Sequence, residues 1–485
     1  MSLSGALTVA LSGLQTSTTA AQVISGNISN SQTQGYTAKT INLEAVTSGS
    51  STGGVELSGY SRVTNNILSA TLNNATSNAS FLSTQNGYMT QVQSILNSTN
   101  NPPVLSSDLS NFQAAWTQYA ASPSDVTLEK TVVSTGQALA STINSIAVQT
   151  TSLQTNVQND LSTAVQSLNT ALAEVQTLNT EITSARVNKQ PTVNLEDLRD
   201  QAINTISQYT NVTVMQRSNG QVALYTSSGA ALVDGLAQTF SVSVDGNSIL
   251  NAVGADASSS LTGGKLQATT DFLSSAASTS NGVGVITKLQ SQLQNFANLF
   301  LATTATNSGS FADTYNSAAT KTGEQGNSFF TASINADGLP DMTTFSVNSS
   351  LANGTTTAKT AAASGINNAF SATNLAITVV PGSPITYTTS STFLAAGLTT
   401  QHQTYAGIAT AILSGFQQAA NAIQTQNTTA AAQKTYYQSS LSSQTGVNTD
   451  TELVNLTNWE NSYAASAHVI STIQTMMKTL ENMVG

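Results

Sequence analysis

Apolar residues between Gly136 and Pro191 recur at helical spacing through 54 residues that contain neither glycine nor proline. Leu139, Ile143, Ile146, Leu153, Val157, Leu161, Ala164, Leu168, Ala171, Val175, Leu178, Ile182 and Ala185 hold one face, interrupted once by Thr150. The spacing predicts one helix of about 80 Å at 1.5 Å per residue, too long for a compact globule. It points to an elongated bundle or coiled coil. Shorter stretches of similar periodicity run through residues 65–98, 105–121, 284–303 and 403–440.

After Asn211 the period changes to two. Val212, Val214, Val222, Leu224, Phe240, Val242 and Val244 alternate with polar residues. Asn219-Gly220, Asp234-Gly235 and Asp245-Gly246 break the run with dipeptides that supply the positive φ of tight hairpin turns. A second strand-like region spans about 329–395, with Phe345-Ser346-Val347 and Ala376-Ile377-Thr378-Val379-Val380. Helical pattern separates and follows both regions, so the β material reads as two insertions into a helical body. The insertions are expected to be peripheral: excising residues 332–395 should leave helicity largely intact.

Both chain ends carry apolar stripes at heptad spacing. At the N-terminus the stripe is Leu3, Leu7, Ala10, Leu14, Ala21, Ile24 and Ile28, with a skipped turn at Ser17. At the C-terminus Leu456, Tyr463, Ile470, Met477 and Val484 fall seven apart, and Trp459, Ile473 and Leu480 fill the intervening positions except at Ser466. The fold class is therefore α+β and multidomain: an elongated α-helical bundle or coiled coil formed by the N- and C-terminal parts, with inserted β-rich regions from the middle of the chain. The expected units are an N-terminal axial arm (1–60), a helical bundle in three parts (61–210, 263–328 and 399–445), a β-hairpin insertion (211–262), a β-rich outer domain (329–398) and a C-terminal axial helix (446–485).

Composition narrows the function. Charged residues are 7% of the 485, against roughly 25% in ordinary soluble domains. Serine, threonine, asparagine and glutamine fill the gap with 219 residues. A net charge of −10 argues against a nucleic-acid surface. With no cysteine there is no disulfide framework, thiolate metal site or cysteine nucleophile. No apolar run approaches the 18 residues of a membrane span. Residues 1–38 carry no charge at all, the first being Lys39, so the start lacks the basic residue and apolar block of a cleaved signal.

Enzyme chemistry finds few candidates. His402 and His468 are far apart, with no nucleophile motif beside either. Asn335, Asp337 and Asp341 around Gly338 lack the spacing and closing glutamate of a calcium loop and read as a turn. No glycine loop is set to cradle phosphate. No catalytic residue, metal ligand or cofactor is expected. Arg199-Asp200 reads as a local charge pair worth at most about 1 kcal/mol if exposed.

Asn27-Ile28-Ser29-Asn30 followed by Gly35-Tyr36-Thr37 resembles the N-terminal signature of bacterial flagellar rod, hook and hook-associated proteins. Asn194-Leu195 through Arg199-Asp200-Gln201 is similar to an element of the hook-associated protein 1 family. So are Gly263-Gly264-Lys265-Leu266 and Gly326-Asn327-Ser328-Phe329-Phe330. Gly446-Val447-Asn448, with Asn455-Leu456, Tyr463, Ala465, Ala467, Val469 and Ile470, resembles that family's C-terminal element. The resemblance implies an extracellular structural subunit at the hook–filament junction, secreted without a cleaved signal peptide through the flagellar type III apparatus. It implies assembly with copies of itself, with the hook protein below and hook-associated protein 3 above. A cytoplasmic export chaperone would hold the C-terminal segment. Nucleic acid and membrane insertion have no place in it. The alternatives are another axial protein, such as a hook protein or flagellin, and a secreted adhesin. The Gly35-Tyr36 element counts against flagellin, the long central helix against the hook protein, and the absence of internal repeats against the adhesin.

Residues 3–30 include nine serines and threonines, each costing roughly 0.5 kcal/mol of helix propensity against alanine. The two ends are therefore expected to be disordered in the monomer and to pair as helices on assembly.

Overall fold

The computed structural model describes residues 3–48, 51–96, 104–274, 284–301, 310–324, 328–335, 340–371 and 404–484. The chain opens with α1 (Leu3–Ser29) and an antiparallel hairpin of β1 (Lys39–Ser48) and β2 (Ser51–Arg62). A helical body follows: α2 (Asn66–Ile95), α3 (Val104–Ala121), α4 (Val126–Val187) and α5 (Val193–Tyr209). Short strands occupy 213–250. Beyond them lie α6 (Gly264–Leu273), α7 (Val285–Leu301) and α8 (Phe311–Ser317). A penultimate helix (Tyr405–Thr445) and a C-terminal helix (Thr449–Val484) close the chain.

The long central helix has 62 residues and begins before Gly136. Asp125 caps its start, its carboxylate accepting from Thr127 N at 2.8 Å. Lys189, at φ 54°, turns the chain out of it just before Pro191. Gly136 is tolerated because the core needs its missing side chain. A Cβ there would lie 2.8 Å from a Phe329 ring carbon and 3.1 Å from one of Phe112. Thr150, the polar break in the apolar face, is buried and donates to Ile146 O at 2.7 Å, so it leaves no orphaned hydroxyl.

The strands of 213–250 form a four-stranded antiparallel meander and a separate two-stranded pair. The three expected turn glycines, Gly220, Gly235 and Gly246, have φ of 87°, 80° and 74°. Amides on α4 hold this unit by imitating a strand edge. Asn169 donates to Phe240 O (2.8 Å) and accepts from Phe240 N (2.9 Å). Asn179 does the same with Val222, at 2.8 and 3.0 Å. The amide-rich composition thus supplies backbone partners where an α-helix meets β structure.

The second insertion differs from expectation. Within the described part of 329–398, the strands are Phe330–Thr331 and Ser346–Val347, two residues each. The rest is short helix and 3₁₀ turn, with the longest helix at Ala363–Ser371. The Ala376–Val380 strand lies outside the described residues. Nor is the described part peripheral. Phe345, Ile366 and Phe370 join Phe112, Trp116, Phe300, Phe311, Phe329, Phe330 and Tyr405 in one contiguous core. Phe112 lies 5.5–6.4 Å, centroid to centroid, from Trp116, Phe300, Phe311, Phe330 and Phe370. Period-two alternation across Phe345-Ser346-Val347 comes from two inward-facing side chains on a chain that turns immediately afterwards.

Candidate assembly site at the paired termini

Helix α1 and the C-terminal helix run antiparallel, with Asn27 meeting Glu452 at one level and Gly13 meeting Ser466 further along. The two ends are therefore helical and paired within a single chain, where disorder was expected. Hydroxyls of α1 are satisfied within the helix by the preceding turn: Ser17 Oγ donates to Gly13 O (2.9 Å) and Thr18 Oγ1 to Leu14 O (2.9 Å).

The seam is not the one made by the largest side chains. Ala10, Ser17, Ala20, Ile24 and Asn27 are buried, and Gly13 completes their alternating spacing of three and four. Leu3, Leu7, Leu14, Ala21 and Ile28 of the expected stripe flank it, half-buried. Ser17, read as a skipped turn, lies in the seam. On the opposing helix Glu452 and Ile473 are buried, while Leu456, Trp459, Ser466 and Ile470 are half-buried. Ser466, the gap in the C-terminal heptad, packs against Gly13. A Cβ on Gly13 would sit 2.9 Å from its Oγ. Tyr463, Met477 and Leu480 are exposed, and Val484 lies in the last helical turn.

At the base of the pair a polar cluster joins four parts of the chain. Asn27, fully buried, uses its whole amide. Its Nδ2 donates to Lys39 O (2.9 Å) and Glu452 Oε1 (3.1 Å). Its Oδ1 accepts from Tyr36 Oη (3.0 Å) and Lys39 N (3.1 Å). The Lys39 ammonium lies 3.8 Å from the Tyr36 ring centroid and 3.3 Å from Asp197, and also contacts Asn194 Oδ1. Asp197 accepts from Thr37 Oγ1 (2.7 Å) and pairs with Arg62 (2.9 Å), which also reaches Glu196 (3.1 Å) and Asp200 (2.6 Å). Ser29, Asn30 and Gly35 shape the connection. Asn30 donates back to Gly26 O at the end of α1, and Gly35, at φ 79°, leaves the space that the Gln201 side chain fills. The 27–37 signature and the 194–201 element, separate in sequence, thus dock on each other.

Arg199 and Asp200 do not form the local pair expected from their adjacency. Successive helical residues diverge. Arg199 turns inward, bonding to Gly220 O (2.8 Å) and Asn179 Oδ1 (3.2 Å), while Asp200 turns out to Arg62. The β1–β2 hairpin was also missed, although Ile41, Leu43 and Ala45 alternate with Thr40, Asn42 and Glu44. Its second strand lies on α1, where Val55 N donates to Ser12 Oγ at 3.2 Å.

Elsewhere, His468 is exposed on the C-terminal helix, and His402 lies outside the described residues. Asp341 caps a 3₁₀ turn through Thr343 N at 2.9 Å, Asn335 is exposed, and Asp337 and Gly338 lie outside the described residues. Among the described residues no helix is long and apolar enough to cross a membrane.

The two glutamates of the cluster respond to pH in opposite directions. Burial pushes the Glu452 carboxyl up, against the hydrogen bond from Asn27. Its stabilising contribution is complete below the ordinary glutamate value, about 4.3, and is lost as pH rises through the elevated folded value. Burial also raises Glu196, but hydrogen bonds from Arg186 and Thr192 and the Arg62 charge outweigh it and hold the carboxyl low. Its contribution is present above the ordinary value and lost as pH falls through the depressed one. Acidification from neutral pH should therefore tighten the terminal pair as pH falls through the elevated Glu452 value, before it loosens the start of α5. Amide protection factors should rise over 449–456 at the first step and fall over 193–200 only at lower pH.

A family model described as the flagellar hook-associated protein FlgK helical domain matches residues 89–330. One described as the flagellar basal body rod FlgEFG protein C-terminal matches residues 438–483. Flagellar hook-associated protein 1 of Bacillus subtilis (strain 168) is 25% identical over 341 residues, 63% of this chain and 65% of that protein. The chain thus spans just under two thirds of the length of this curated relative. The solved flagellar hook junction protein FlgK from Burkholderia pseudomallei is 25% identical, with 55% of this chain and 47% of that one covered at a TM-score of 0.43.

Proposed function

We propose that this chain, which belongs to the flagellar hook-associated protein 1 family, is a structural subunit that joins hook to filament and self-assembles through its paired terminal helices. The observation that carries the reading is the apolar surface left on that pair. Leu11, Val454, Tyr463, Met476, Leu480 and Met483 are 46–81% exposed on two helices whose mutual seam is made of small residues on the α1 side. A face of this kind is completed by neighbouring copies. The signature Asn27, Ile28, Ser29, Asn30, Gly35, Tyr36 and Thr37 then serves to fix the pair to the body rather than to bind a ligand.

The role is structural rather than enzymatic, and its place is outside the cell in the flagellum after type III export without a cleaved signal. Its partners are copies of itself, the hook protein, hook-associated protein 3 and, before export, a cytoplasmic chaperone. The seven units from 1–60 to 446–485 divide the work: the first and last form the axial pair and the rest the outer body.

Tyr463→Asp and Leu480→Asp test the reading, because both side chains are already exposed in the single chain. Each should leave the melting curve of the free protein almost unchanged and abolish its incorporation at purified hook ends. Incorporation at the normal level by both variants would count against assembly through this face.

A further inference from the structure

We infer that the Asn27–Glu452 contact sets the register of the terminal helix pair. The rest of the seam cannot do so sharply. Its α1 side is Ala10, Gly13, Ser17 and Ala20, a surface of little relief, with Ile24 the one large side chain before Asn27. The facing helix repeats large apolar residues every seven positions at Leu456, Tyr463, Ile470 and Met477, and a second row holds Trp459, Ile473 and Leu480 with the small Ser466 between the first two. A slide of one heptad, about 10 Å along the axis, would again bring apolar residues onto small ones, except at Gly13, where it would press Trp459 or Ile473 into the space that Ser466 leaves. Gly13 and Ser466 oppose a slide by shape, whereas the contact at the base of the pair is polar and carries a buried charge.

Glu452 is the buried charge of its helix, and α1 contributes no charged residue at all. Asn27 is completely buried and has three other bonds, two to Lys39 and one to Tyr36, that tie it to the connector. It therefore cannot follow a sliding helix. In a shifted register its Nδ2 would lose the carboxylate, and Glu452 would be left against apolar residues without a donor. A single buried polar contact that every alternative alignment must break is a known way of fixing helix register. Asn27 and Glu452 are thus positioning residues, and Glu452 fixes how far the apolar end of the C-terminal helix projects past α1.

The absence of native cysteine makes the register directly readable. A Cβ on Gly13 would lie 3.9 Å from the Ser466 Cβ, inside the disulfide range of about 3.5–4.5 Å. In monomeric full-length protein, Gly13→Cys paired with Ser466→Cys should oxidise to an intramolecular disulfide. Gly13→Cys paired with Trp459→Cys or Ile473→Cys, one heptad away on either side, should not. Adding Glu452→Leu should lower the yield of the 13–466 bridge at least several-fold and raise that of a shifted pair. Adding Glu452→Gln, which still accepts from Asn27, should restore the native pattern. Undiminished 13–466 bridging in both Glu452→Leu and Asn27→Leu would overturn the inference. So would loss of every bridge in those variants, which would mean that the contact holds the helices together rather than in line. The readout uses the free chain, so it stands or falls independently of assembly at the hook.

Discussion

Asp197→Ala should destabilise the attachment of the terminal pair by about 3–5 kcal/mol, the usual penalty for removing one partner from a buried ion cluster. The Asp197 side chain is 5% exposed and is shared by Lys39, Arg62 and Thr37. Its loss leaves the Lys39 ammonium, itself 8% exposed, with only the Asn194 amide oxygen and the Tyr36 ring. Neither neutralises a buried charge. Against a total stability on the order of 5–15 kcal/mol, the loss is large. It is also local, so the first sign should be proteolysis within residues 30–64, at concentrations that leave the wild-type chain intact, with α3 and α4 still protected. Asp200→Ala removes a half-exposed partner of the same Arg62 and should cost no more than about 1 kcal/mol. Equal protease resistance in the Asp197 and Asp200 variants would mean that the cluster does not carry the attachment.

The contrast between these two aspartates shows where sequence reading reached and where it stopped. Helices were legible because burial repeats every three to four residues. The face of α4 from Leu139 to Ala185 is buried as its spacing predicts, Thr150 included. Turns with Asn-Gly or Asp-Gly were legible because positive φ demands them. The helix seam was not, because a pattern search weighs large apolar residues. The terminal helices pack Gly13 against Ser466, where the heptad of large apolar residues has its gap. The cluster at the base was half legible. Asn27, Tyr36 and the 194–201 stretch stood out one by one through the family resemblance. Nothing local in the sequence says that Asp197 meets Lys39 from 158 positions away, or that Arg199 and its neighbour Asp200 face opposite ways. Those pairings are set by how α5 lies across the hairpin, a tertiary fact with no periodicity of its own.

The same limit governs the largest effect expected here. Alternation and turn residues make 332–395 read as a detachable insertion, yet its described part fills the core. Phe345, Val347, Leu351, Ile366 and Phe370 are each at most 6% exposed. At roughly 1.5–3 kcal/mol per large apolar side chain, these five represent about 8–15 kcal/mol of burial. That is comparable to the whole net stability of a typical folded domain. Excision would also strip Phe112, Phe311 and Tyr405 of the Phe370 ring, at 5.9, 5.7 and 5.2 Å. Phe330 would lose the stacked Phe345 at 5.1 Å. Glu129, buried on α4, would lose the amide of Ala358 that donates to it at 2.8 Å. A short linker across 332–395 should therefore abolish the near-ultraviolet signal of the aromatic core around Trp116 and broaden the thermal transition. Far-ultraviolet helicity should survive in part, because α4 and the penultimate helix keep their own hydrogen bonds. Phe370→Ala alone should cost about 3–5 kcal/mol, the usual loss for a buried aromatic ring. A sharp melt with a native aromatic spectrum after excision would mean that the segment is the detachable insertion its sequence resembles, and that the core closes without it.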